Sequence, residues 1–209
     1  MPRDLHDLVD PGHTVLLLQE CQKGVVGDLS ALPELALAAQ AEMVPNVARL
    51  AAAARTAGAR VIHLTAAHQP DMWGANTNAR LFSGVKKSPV KLVQGVEAVE
   101  VLDEIGVVGN DIVLARQHGL SPFEGTELDS LLRNERIRTV VLVGVSVNVA
   151  ILNVTFDAVN RAYEVVIPRD AVAGTPTEYV QQVFAYTLGL IATLTTTDDL
   201  VAAWSTGTP

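Results

Sequence analysis

Cys21 is the only cysteine among the 209 residues, so the chain can close no internal disulfide and nothing in it demands an oxidising compartment. Basic residues are also scarce: 15 Lys and Arg against 23 Asp and Glu give a formal charge of −8. Phosphate binding needs a basic surface that releases counterions, so neither nucleic acid nor an anionic membrane is an expected partner. Charges or Gly interrupt every apolar run before it reaches roughly 18 residues, which argues against a membrane span. No basic, apolar and small-residue leader opens the chain, and residues 1–13 carry Asp4, Asp7 and Asp10 instead. The cytoplasm is the expected location.

Cofactor fingerprints are missing too. No G-x-G-x-x-G follows the first strand-like run and no G-x4-G-K-[ST] occurs, so no nucleotide cofactor is expected. His63, His68 and Asp71 lack the usual H-x3-H pairing, and His63 lies inside an apolar run, which makes it a structural residue rather than a metal ligand. Neither cofactor nor metal is expected.

What is present is apolar: 49% of residues are hydrophobic and 18% charged, enough to bury a core that offsets the entropy of ordering the chain. The length suits one domain, 1–209, with residues 1–13 as an N-terminal arm. Short Val/Ile/Leu-rich runs at 14–19, 59–65, 111–116, 139–144 and 163–168, with a weaker Thr-rich one at 193–197, lack clear alternation. Strands covered on both faces of a parallel sheet read this way. Helical stretches lie between them, at about 41–57, 96–105, 126–134, 147–162 and 177–190. The fold class is therefore α/β, a three-layer α/β/α sandwich around a mainly parallel sheet of about six strands. Segments 23–40 and 66–95 fit neither period, and each is expected to be a lid, a pocket wall or a subunit contact.

In a parallel sheet the ligand crevice lies beyond the carboxyl ends of the strands, which draws attention to Glu20 and Gln22, His68 and Gln69, Gln117 and His118, Ser146 to Ala150, and Asp170. "GVSVN" approaches a nucleophile elbow, but Asn148 stands where the turn needs a second glycine, and all five histidines precede Ser146. A Ser146 nucleophile would be labelled by a fluorophosphonate, and no labelling is expected. Cys21 and Glu20 are adjacent and point to opposite faces, so Cys21 is a buried hydrophobe rather than an activated thiol.

Together "TVLLLQECQKGVV", "RQHGLSPFEGTELDSLLR", "VVLVGVSVNVAILNVTFDAVNRAYEVVIPRDAVAG" and "TTTDDLVAAW" resemble the isochorismatase-like hydrolase superfamily, the cysteine hydrolase family, over about residues 14 to 203. The resemblance places the family's aspartate on Glu20, its lysine on Gln117 and its nucleophilic cysteine on Ala150. A methyl group forms no thioester, so the implied triad is altered and works, where it works, without sulfur. The resemblance also implies a cis peptide between Val145 and Ser146 and a substrate-binding role for Gln69 in "HQP". With a neutral Gln117, burial of Glu20 would favour the protonated acid; Arg116 alternates away from Gln117, and His118 is the better candidate to restore a positive charge. The resulting expectation is a hydrolase of a small molecule with Glu20 as general acid or base. Gln22, Gln69, Gln117 and His118 would position the substrate, with Ser146 and Asn148 on the anion side. Its alternative is an inactive relative that binds a small molecule or assembles with partners. A homo-oligomer, dimer or larger, is expected in either case.

Overall fold

The computed structural model describes residues 4–205. Seven strands form one sheet: β1 Thr14–Gln19, β2 Arg60–Ala66, β3 Ile112–Arg116, β4 Thr139–Val145, β5 Glu164–Pro168, β6 Val172–Ala173 and β7 Thr193–Thr195. Their order is β3-β2-β1-β4-β5-β7, with the short β6 pairing beside β4, and every pairing is parallel. Every residue of β1 and β4 is buried, the condition that their unbroken apolar runs require. The alternate residues Leu16 and Leu18 enter one core, with helices Val44–Ala57 and Thr197–Ser205. Val15 and Leu17 enter the other, with helices Leu128–Asn134, Leu152–Asn160 and Thr177–Val183. The result is the three-layer α/β/α sandwich.

Helix Val44–Ala57 shows why the sequence folds this way locally. Val44, Val47, Leu50, Ala51 and Ala54 recur at helical spacing and are buried, and Gly58, at φ 85°, ends the helix in the left-handed region. The arm before β1 is tied down: Leu5–Leu8 is a helical turn, and the Trp204 indole donates to the Val9 carbonyl at 2.9 Å.

One expectation needs correction, and two segments without a sequence period hold short helices. The stretch 96–105 is not a helix beyond the single 3-10 turn Glu97–Val99. Its backbone is taken up by the chain after β1, through Lys23 N–H to the Glu100 carbonyl at 2.9 Å and Leu102 N–H to the Cys21 carbonyl at 3.1 Å. Tertiary pairing there overrides helical propensity. Segment 23–40 contains helices Lys23–Val26 and Pro33–Ala38, the second opened by a proline at its first position. Segment 66–95 contains helix Arg80–Lys87, which buries none of its residues.

Candidate active site

The sheet delivers its polar residues to one rim. Glu20 is the first residue beyond β1, and its N–H donates to the Leu64 carbonyl of neighbouring β2 at 2.8 Å. Its φ is 54°, a left-handed conformation that ends the alternation of the strand. The carboxylate Oε1 accepts a hydrogen bond from Gln19 Nε2 at 3.0 Å and an ion-paired one from Arg116 Nη2. The Glu20 side chain is 16% exposed and that of Arg116 9%.

This ion pair corrects the expectation that His118 supplies the missing charge. Arg116 does turn away from Gln117, but Glu20 lies on Arg116's side. Ile112 and Leu114 belong with the core beneath helices Leu128–Asn134 and Leu152–Asn160, and Arg116, two residues on, faces the same way. Strands β1 and β3 flank β2, about 9–10 Å apart, a gap that a long guanidinium side chain closes. Arg116 is fixed from behind by Nη1, which donates to the Gly119 carbonyl at 2.9 Å. The cation-free acid expected opposite Gln117 is therefore an ion pair instead.

Gln117 faces elsewhere. Its side-chain Oε1 accepts from Gln69 Nε2 at 2.8 Å, and its main-chain carbonyl accepts from His68 Nδ1 at 2.5 Å. A carbonyl can only accept, so the proton in this bond sits on His68 Nδ1. His118 is exposed and leans on Gly125, where an added Cβ would overlap its imidazole ring. Gln22 belongs to the framework. It is fully buried, its Nε2 donates to the Ala66 and Val99 carbonyls at 3.0 and 2.9 Å, and its Oε1 accepts from Ala66 N–H at 2.8 Å. Those bonds occupy its amide and leave both donor hydrogens spent on backbone. Asp170 is likewise spent on structure, accepting from Thr197 N–H at 2.9 Å and from Asn46 Nδ2 at 3.3 Å.

Beyond β4, the peptide between Val145 and Ser146 is cis, as the resemblance implied. The Ser146 carbonyl accepts from Val149 N–H at 3.2 Å and Ile151 N–H at 3.0 Å, closing a wide helical turn over Val147–Ile151 that buries Ala150. Asn148 Oδ1 is buried with no partner among the described residues. Gly174 leaves room for it: a Cβ there would lie 3.1 Å from that oxygen.

Two residues without any signal in the sequence pattern complete the rim. Asn76 Oδ1 accepts from Gly119 N–H at 2.7 Å, joining the long segment after β2 to the loop that holds Arg116. Lys86, on the exposed helix, lines with His68, Met72, Asn76, Phe82 and Val85 a small depression of about 40 Å³. No periodicity marks these contacts, because both residues lie in the segment with no regular pattern.

Cys21 is buried, and burial first, then the Glu20 charge, pushes its thiol up to about 12. Among the described residues no three His, Cys, Asp or Glu side chains gather as a metal site would need.

Residues 14–199 match the isochorismatase domain model. The chain belongs to the isochorismatase-like hydrolase family. A ureidoacrylate amidohydrolase RutB from Methylorubrum extorquens strain AM1 is 29% identical over 182 residues, covering 80% of this chain and 73% of that protein. Among solved structures, a cysteine hydrolase from Pseudomonas syringae pv. phaseolicola 1448A superposes with a TM-score of 0.78 at 23% identity, covering 99% of each chain. N-carbamoylsarcosine amidase from Thermoplasma acidophilum superposes at 0.70 with 26% identity, covering 88% of this chain and 96% of that one. The family membership accounts for the parallel sheet and for the crowding of polar residues at the carboxyl ends of its strands. No helix among the described residues is long and apolar enough to cross a membrane.

Proposed function

We propose that the protein hydrolyses a small molecule without a sulfur nucleophile, Glu20 serving as the acid or base that handles the proton of an attacking water. The observation that carries this reading is a carboxylate fixed at the carboxyl end of a central strand by Arg116 and Gln19, in a chain whose only thiol is buried and strongly protonated. Position 150, where the family resemblance places the nucleophile, holds a methyl group. A general base acting on water needs no covalent intermediate, so the reaction proceeds in one hydrolytic step.

The remaining groups supply binding. Gln69 and Gln117 present a linked amide pair, His118 follows Gln117 and is exposed, and the turn 146–150 follows β4, the neighbour of β1 in the sheet. The unpaired Asn148 amide end supports a substrate that brings its own hydrogen-bonding group, such as the N–H of an amide or ureido compound. The names of the relatives, which act on ureidoacrylate and carbamoylsarcosine, support the same substrate class. Self-association and a cytoplasmic place belong to this proposal.

The test is turnover of ureidoacrylate, N-carbamoylsarcosine, nicotinamide and isochorismate by the purified protein and by Glu20→Gln. The expected result is activity on at least one of them that falls by about 10²-fold or more in the variant, the range for losing a positioned acid or base, with the fold retained. Full activity in Glu20→Gln overturns the role of Glu20. A second reading, a binding protein without turnover, is favoured by the way Glu20 pairs with Arg116 and Gln69 with Gln117 instead of pointing at open space. Saturable binding of one of these compounds with no product would establish it.

A further inference from the structure

A larger cavity than the depression beside Lys86 lies at the other end of the sheet, among the first residues of β1, β2 and β3. It holds about 400 Å³, within the range of small-molecule sites. Val15, Ile62 and Ile112 line it from the strands, and Leu131, Leu132 and Ile137 from helix Leu128–Asn134 and the turn after it. The opening has a simple cause. A helix of seven residues is only about 10 Å long, whereas the seven residues of β2 run about 20 Å, so the helix cannot roof the strand along its whole length. Main-chain bonds hold the walls in place. Ile137 N–H donates to the Leu132 carbonyl at 2.9 Å, and next to Gly58, which also lines the cavity, Ala59 N–H donates to the Ala54 carbonyl at 2.9 Å.

The second observation is charge. Among the described residues two charged side chains line the cavity, Arg60 and Glu135, and they are of opposite sign. They form no ion pair with each other or with any other described residue. Arg60 spends Nη1 on the Asn110 carbonyl at 2.5 Å, which leaves Nε and Nη2 without a partner among the described residues. Elsewhere the fold pairs such groups: Arg55, Arg116 and Arg161 each meet a carboxylate. Arg60 alternates with Ile62 on β2, so the stem of its side chain runs along the same apolar face.

We propose that this cavity binds an organic zwitterion with an apolar body, a hydrophobic amino acid or a short hydrophobic peptide with free ends. Its carboxylate would take the free guanidinium donors of Arg60, its ammonium the carboxylate of Glu135, and its apolar body the surface of Val15, Ile62 and Leu132. A purely apolar guest would leave both charges unused, an anion would face Glu135, and a cation would face Arg60. The length of β1, about 20 Å, separates the cavity from Glu20. The site is therefore distinct from the candidate active site and does not depend on the catalytic reading.

Titration of the isotope-labelled full chain by NMR tests it, with leucine, phenylalanine and leucyl-leucine as probes. The expected result is a saturable shift of the amides of Gly12, Gly58, Arg60, Leu131 and Ile137 with at least one probe, those of Glu20, Gln117 and Asn148 staying in place. A free amino acid as the tightest probe identifies that source, and leucyl-leucine the peptide. Isocaproate, which lacks the ammonium, and isoamylamine, which lacks the carboxylate, should bind more weakly by about tenfold or more, the loss of one charge-assisted hydrogen bond. Arg60→Gln and Glu135→Gln, both at exposed positions, should weaken the tightest probe by a similar factor. No saturable shift with any probe, or shifts confined to Glu20, Gln117 and Asn148, overturns the site. Isocaproate or isoamylamine binding as tightly as the zwitterions overturns the ligand class, and this comparison on the wild type decides should either variant misfold.

Discussion

A single conformational choice at Glu20 sets the chemistry of the rim. Continued in extended form, the chain would carry its carboxyl to the face opposite Gln19; at φ 54° it turns back to meet both the Gln19 amide and the Arg116 guanidinium. Both partners of the ion pair are largely buried, and removing one charge from such a pair leaves the other without compensation. Arg116→Met should accordingly cost about 3 kcal/mol in urea unfolding, whereas Glu20→Gln combined with Arg116→Met should cost less than the single Arg variant. An additive double variant would show that the pair is not coupled. Cys21 gives a second expectation at this scale: with its thiol pushed up to about 12, iodoacetamide at pH 8 should leave native protein unlabelled and any hydrolytic activity unchanged, labelling appearing only in denaturant. The sequence alone disclosed Glu20 and Gln69 as rim residues because both follow apolar runs. It misassigned the cation because alternation was applied to Arg116 but not followed through the irregular residue at 20. Asn76 was beyond its reach, since its contact depends on how a long unpatterned segment folds over Gly119.

Among the elements, β1 and β4 carry the site between them, and their closeness rests on Gly144. That residue has φ 105° and lies beside Gln19, so a Cβ would overlap the Gln19 carbonyl oxygen and lie 3.0 Å from its carbon. Two penalties coincide there, a left-handed backbone and a clash with main chain that cannot swing aside. Gly144→Ala should therefore destabilise by about 3 kcal/mol or more, or prevent folding. Gly58→Ala, at φ 85° with nothing within 4 Å, should cost only about 1 kcal/mol from backbone strain. Equal losses in urea melts would refute the clash. The strand runs were legible almost to the residue, since burial on both faces leaves an unbroken apolar signature. Segment 96–105 misled because Ala98, Leu102 and Ile105 are buried as a helix would bury them, while their backbone pairs with residues 21–23. β6 was invisible, two residues being too few for any period.

Across the whole molecule, stability should depend on pH through a buried cluster far from Glu20 in the chain. His63 on β2, 1% exposed, donates from Nε2 to Asp111 Oδ2 at 3.1 Å, and Arg55 Nη2 holds the same oxygen at 2.7 Å. The other ring nitrogen, Nδ1, is buried without a partner among the described residues, so a second proton would be a donor with no acceptor. Burial chiefly, with a smaller contribution from the Arg55 charge, holds His63 below its ordinary value despite the opposing Asp111. The folded chain thus binds fewer protons here than the unfolded one, and linkage makes stability rise with pH. This contribution is complete above the unfolded His value of about 6.5 and declines as pH falls from there towards the folded value, with a slope of at most about 1.4 kcal/mol per pH unit. Asp111 acts lower on the scale: burial raises its carboxyl, but Arg55, the Val108 N–H and His63 together outweigh that and hold it below its ordinary value. Its share persists above the unfolded carboxylate value, about 3.9, and is lost as pH falls through the folded one. Urea melts between pH 8 and pH 5 should show the first decline, and His63→Gln, if it folds, should flatten it while leaving the acid limb near pH 4. A wild-type curve level between pH 7 and pH 5 would mean that the His63 ring accepts its second proton without cost, against the orphaned nitrogen that the fold encloses.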